Sequence, residues 1–157
     1  MPVIWNKTYR GGVQRTTPET REVAAPATGS VKAGMVASLS AAGALTIGAA
    51  AEGVWYYFVG EPLFGTMEAE QTALNEKGTR DTVRMYSPRS GDLYTGRAAA
   101  GIALRDDLPL TVNASGMLAV GTPGTDVIVC YVDMPASAFP KTPTPTTAGQ
   151  LIPVKIK

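Results

Sequence analysis

The chain has 157 residues, a formal net charge of +1, one cysteine and no histidine. That length fits a single domain, one able to bury about 70% of the surface its unfolded chain would expose. A lone cysteine excludes an internal disulfide, and the lack of histidine removes the commonest general base and transition-metal ligand, so most familiar catalytic constellations drop out and no cofactor is expected. The near-neutral balance leaves no footprint for nucleic acid or an anionic membrane surface. Charge is nonetheless uneven: residues 1–27 carry +2 and those from Ala136 onward +3, which leaves −4 on the stretch between.

The opening MPVIWNKTYRGG lacks the basic-then-apolar order of a signal peptide, and no apolar run reaches the roughly 18 residues of a membrane span, so synthesis in a cytoplasm is expected. Residues 1–27 show no helical period and few alternating apolar positions, and they read as an extended N-terminal arm. Trp5 and Tyr9 interleave there with Lys7 and Arg10. Aromatic rings are costly to leave in water, and Trp, Tyr and Arg are preferred interface anchors, so Trp5, Tyr9 and Arg10 are predicted to fix the arm on a neighbouring protein. One copy of YRGG does not make a nucleic-acid-binding tract.

Residues 28–135 read as an all-β body. Short β-rich runs such as GVWYYFVG, DTVRMYS and DVIVCYV are punctuated by Gly, Pro and Thr, the pattern of a compact barrel or sandwich. Trp55, Tyr57 and Val59 are expected to supply its bulk. The one helix signal is GTMEAEQTALNEKG, with Glu68 and Glu70 near its positive end and Gly78 as a stop, predicting a short surface helix. At a constant offset of 73 residues, Ala41, Gly43, Leu45, Gly48, Val54, Val59 and Pro62 fall on Ala114, Gly116, Leu118, Gly121, Val127, Val132 and Pro135. Leu39, Ile47 and Trp55 fall likewise on Val112, Val120 and Ile128. The match predicts two copies of one β motif, each with a tight hairpin, SAAGAL or NASGML, whose glycine supplies a positive φ. Valine at Gly43 or Gly116 is expected to cost more than at Gly29.

Candidate chemistry in the body is thin. Asp106 and Asp107 are adjacent and read as a solvated turn. Glu68, Glu70 and Glu76 read as the wet face of the helix, and YSPRSGD as a loop tip without the glycines and lysine of a P-loop. Cys130 sits in VIVCYV and is expected to be buried and inert. Tyr56, Tyr86 and Tyr94 are stacking candidates should the chain be a sugar- or peptide-binding module.

Residues 136–157 are rich in Pro and Thr and read as a C-terminal arm held extended by its prolines. In LIPVKIK, Ile152, Val154 and Ile156 alternate with Pro153, Lys155 and Lys157, the period of a strand with one wet, basic face. A strand that short needs a sheet, and Ile152, Val154 and Ile156 are predicted to add to the edge of a neighbouring protomer or another protein.

The pattern VKAGMVASLSAAGALTIGAAAEGVWYYFVGEP, followed by GRAAAGIALRDDLPLTVNASGMLAVG, resembles head decoration (cement) proteins of tailed bacteriophages over residues 20–135. The resemblance implies a β-tulip, jelly-roll or immunoglobulin-like body on the capsid exterior, added after assembly in the host cytoplasm. It implies a homo-oligomer, dimer or trimer, that bridges neighbouring major capsid protein subunits, with no catalytic residues, no direct nucleic-acid contact and no membrane. Another virion component, such as a minor coat, head-completion or tail protein, is the nearest alternative, ahead of the binding module.

Overall fold

The computed structural model describes residues 8–12, 19–62, 66–74, 78–134 and 144–157. The protein is all-β. The described residues form thirteen strands: β1 (Tyr9–Gly11), β2 (Glu19–Ala24), β3 (Ser30–Val31), β4 (Val36–Leu39), β5 (Leu45–Thr46), β6 (Tyr57–Val59), β7 (Gln71–Thr72), β8 (Thr82–Ser87), β9 (Leu93–Ala98), β10 (Pro109–Val112), β11 (Leu118–Val120), β12 (Cys130–Val132) and β13 (Gln150–Ile156). One sheet runs β2-β8-β6-β4-β5; a second runs β1-β9-β11-β10-β12-β13 and closes on itself through β9–β13, making a five-strand barrel with β1 added outside the ring. A ribbon of β3 and β7 completes the fold.

The predicted repeat is present down to the register. In the first unit Ser38 pairs with Thr46 and Leu39 with Leu45; in the second Thr111 pairs with Ala119 and Val112 with Leu118. Ala37–Tyr57 and Val36–Phe58 become Leu110–Cys130 and Pro109–Tyr131 at the same offset of 73. Only the last strand slips: Val59–Met85 becomes Val132–Val154, so β8 maps on β13 at an offset of 69. Arg21–Met85 then maps on Tyr94–Val154, which makes β2 the counterpart of β9. Inward side chains correspond too: Ala25, Ala37, Leu45, Val59, Val83 and Met85 fill the first core, and Ala98, Leu110, Leu118, Val132, Ile152 and Val154 fill the second.

The units differ at one seam. In the second, the Ala99 N–H donates to Leu118 O at 2.7 Å, beside the parallel Leu118–Ala98 bridge that closes the ring. The counterpart of Ala99 is Pro26, which has no N–H to give, and β2 and β5 stay unpaired with each other. The first unit is therefore an open sheet.

The units join head to tail. The outer face of the first, Val36, Tyr56, Phe58 and Tyr86, packs into the second unit's core, with Phe58 stacked on Tyr94 at a centroid distance of 4.6 Å. Val36 N–H donates to Gly116 O, Ala50 N–H to Val112 O, and Arg97 N–H to Gly34 O, each at 2.8 Å. Gly34 needs its positive φ of 86°, and a Cβ there would lie 3.2 Å from Thr95 O. Its counterpart Asp107 keeps the same turn, with a positive φ of 56°.

Three expectations are corrected. Described residues of the predicted helix do not form one: Gln71 and Thr72 pair with Val31 and Ser30, and Met67 and Gln71 are buried while Leu74 is 71% exposed. Burial of one apolar and one amide side chain, Met67 and Gln71, outweighs a thin helical stripe. The C-terminal strand does not leave its own body. It pairs with β9 over six residues and with β12 over three, closing the barrel. In the N-terminal stretch the described strands β1 and β2 add to this chain's own β9 and β8. Alternation marks a strand but not the sheet it joins.

Candidate protein-docking surfaces

The joint between the units is built around Arg97, which is 3% exposed. Its Nε donates to Ala33 O at 2.8 Å, one terminal nitrogen to Gly149 O at 2.9 Å and the other to Met67 O at 2.7 Å, with Glu68 Oε1 at 3.1 Å. Three separate chain segments, at Ala33, Met67–Glu68 and Gly149, are held by one fork, whose planar donors suit several acceptors at once. Lys32 Nζ reaches Glu68 at 3.8 Å. The adjoining cleft of about 340 Å³, lined by Ser30, Lys32, Met35, Glu68, Arg97 and Met117, thus has its guanidinium already engaged by the protein.

Two features point outward. The first is the loop before β6. Ala51 N–H donates to the Tyr56 hydroxyl at 2.7 Å, that hydroxyl donates to Ala49 O at 3.3 Å, and Ala50 is tied to Val112. The stapled loop displays Val54 at 41% and Trp55 at 58% exposure. The repeat partner of Trp55, Ile128, instead lies over Gly121, where a Cβ would meet its Cδ1 at 2.6 Å. Gly48, the matching glycine in the first unit, has nothing near it. The second feature is the outer edge of β2. Glu19 to Glu22 are exposed, and β8 is the only strand that β2 pairs with among the described residues.

The predicted anchor residues fall in varied places. Trp5 lies outside the described residues. Tyr9 pairs with Tyr94 and packs edge-on against its ring at 5.3 Å, with Tyr86 at 6.3 Å. Arg10 reaches Asp133 at 3.6 Å; burial pulls its pKa below the ordinary arginine value, against the pull of that carboxylate. Thr8 and Glu61 seat this strand: Thr8 N–H donates to Glu61 Oε1 at 2.8 Å, and Tyr86 donates its hydroxyl to Oε2 at 2.8 Å. Ile152 and Val154 point into the barrel at 1% and 0% exposure, and Ile156 packs half-buried against the same core. Their side chains are spent on this chain's own barrel. The stacking candidates Tyr56, Tyr86 and Tyr94 are all buried, while Trp55, expected in the core, is displayed. The sequence sign of this was the exchange of Trp55 for aliphatic Ile128, one of several non-identical pairs in the repeat.

The remaining chemistry is structural. Asp92 Oδ2 accepts the Arg89 N–H at 3.0 Å, so the YSPRSGD tip fills its own donor. Asp106 accepts the Met134 N–H at 3.1 Å and Asp107 pairs with Lys155 at 2.6 Å. Glu76 lies outside the described residues. Cys130 is fully buried, and that burial pushes its thiol pKa well above the ordinary value. Compared with protein-family models and with curated proteins, the chain matches none.

Proposed function

We propose that the chain is a structural virion protein that attaches to the outside of a tailed-phage capsid and braces it by bridging neighbouring major capsid protein subunits. The observation that carries the reading is the rigidly stapled Val54–Trp55 loop. An indole 58% exposed on a fixed loop loses little conformational freedom on docking and brings a large apolar area to an interface. A bridging protein needs at least two separate contacts, and the outer edge of β2 supplies a second. Of the architectures implied by the resemblance, the jelly roll fits poorly. A jelly roll divides eight strands between two facing sheets, whereas each unit here keeps five strands in one sheet.

Co-sedimentation with expanded capsids and with unexpanded shells tests the reading. Retention on expanded capsids alone is expected, because a site shared between subunits forms only when they reach their final spacing, and Trp55→Ala should lower occupancy while leaving the fold intact. Absence of binding to either particle would sink the proposal.

A further inference from the structure

We propose that the outer edge of β2 is a strand-addition site for an extended segment of a partner protein that places an acidic side chain opposite Arg21. The molecule already shows how such an edge is filled. On β9, the counterpart of β2, the Thr95 N–H donates to Thr8 O at 2.6 Å and the Arg97 N–H to Gly34 O at 2.8 Å. The segment leading into β1, at Thr8, and the turn at Gly34 of the same chain therefore cap that edge. The shared register carries the geometry to β2, where the residues matching Thr95 and Arg97 are Glu22 and Ala24. A second observation fixes their orientation. Glu22 faces Arg84, and Arg84 O accepts the Gly60 N–H at 2.6 Å on the β6 side, so at this antiparallel pair both main chains face away from each other. The N–H groups of Glu22 and Ala24 thus point out of the sheet, and no described residue fills them.

The seam cannot be closed from within, since Pro26 stands where Ala99 closes the other unit. The partner's chemistry follows from what replaces the tyrosine. Tyr94 receives the Tyr9 ring on β9; its counterpart Arg21 is exposed and lies 5.8 Å over the Tyr57 ring, with no acidic partner among the described residues. Main-chain hydrogen bonds would supply affinity and a carboxylate on Arg21 the selectivity. The inference rests on the proposed function only for naming the partner as a coat subunit.

Glu22→Pro is the decisive variant: it deletes an outward N–H and leaves the β8 pairing intact, as proline is tolerated on an edge. Glu22→Thr keeps the N–H and controls for the lost charge. A random dodecapeptide library is selected on the folded wild-type chain and the winning peptides are titrated by NMR. We expect acidic peptides that shift the Glu22 and Ala24 amides, bind Glu22→Pro at least tenfold more weakly, bind Glu22→Thr within twofold, and lose their acidic preference on Arg21→Glu. Failure to select any peptide, or equal binding to Glu22→Pro, overturns the site. A wild-type dimer in sedimentation velocity that Glu22→Pro dissolves overturns the assignment in favour of a second copy. Capsid binding separates the two readings: undiminished occupancy by Glu22→Pro refutes the edge and spares the function, whereas edge-binding peptides without capsid binding refute the function and spare the edge.

Discussion

Alanine placed in turn at Gly43 and Gly116 measures the joint between the units directly. The two glycines occupy the same hairpin turn. Gly43 N–H donates to Ser40 O and Gly116 N–H to Asn113 O, at 2.8 and 3.0 Å, and φ is 78° and 74°. The left-handed backbone penalises alanine equally at both, by about 1 kcal/mol. Their surroundings differ. A Cβ at Gly43 meets nothing within 4 Å, whereas one at Gly116 would sit 2.9 Å from Val36 O and 3.1 Å from Ile47 Cγ2. The first of these is main chain in β4 rather than the end of a flexible side chain, so the hairpin must back away and the Val36–Gly116 bond lengthens. Overpacking of this kind costs about 1–3 kcal/mol. Gly116→Ala should therefore lose about 2 kcal/mol more than Gly43→Ala. With a urea slope of about 2 kcal/mol/M, its unfolding midpoint should fall about 1 M further. Equal midpoints for the two variants would show that the tip of β10–β11 does not bear on β4, and the head-to-tail joint would be wrong.

Ile152→Asp with Ile156→Asp should unfold the isolated chain, losing about 4 kcal/mol or more from the loss of a buried side chain and the burial of a carboxylate; circular dichroism that stays native would place β13 outside the barrel. Arg97→Met should cost about 3 kcal/mol in chemical denaturation, since it strands buried carbonyls at Ala33, Met67 and Gly149. Glu68→Gln should cost far less because that carboxylate is 65% exposed. Burial first, then the bond to Glu61, pushes the Tyr86 phenol from 10.0 up to about 12. The folded state thus holds a proton that the unfolded chain gives up. Stability from this group is intact below pH 10 and falls between about 10 and 12. Tyr86→Phe should flatten that limb of a pH-dependent melting curve, and an unchanged limb would assign the loss elsewhere.

Class and repeat were legible because both are local in kind: alternation, turn glycines and a gapless offset survive in one dimension. The repeat was readable over β4–β6 and β10–β12 but faded at β8 and β13, where the offset changes to 69 and identical residues no longer mark it. The tail was misassigned for a different reason. Alternation in LIPVKIK announces a strand, but whether its edge lies on the same chain depends on the path through residues 136–143, which no periodicity encodes. Tyr9 and Arg10 were selected by residue type, and type alone does not separate an anchor on a partner from one on the chain's own β9. The valine comparison with Gly29 holds at Gly116, where a Cβ would crowd Val36 O, and fails at Gly43, whose φ of 78° and open surroundings Gly29 shares. Trp55 sits beside a true core strand, and sequence adjacency to buried Tyr56 hid its exposure.

Of the three main-chain hydrogen bonds described across the joint, two are given by the first unit, from Val36 and Ala50. At the matching positions the second unit carries Pro109 and Pro123. A head-to-tail contact has an unused end on either side and, left alone, grows into a ring or a fibre. Here the growing end has had its donors removed, as a chain terminator lacks the group to which the next monomer would attach. Whatever duplication produced the tandem, a third unit finds a surface with the right shape class and no hydrogens to offer it. Addition of a further unit from a second copy of the chain is thus opposed at two prolyl nitrogens.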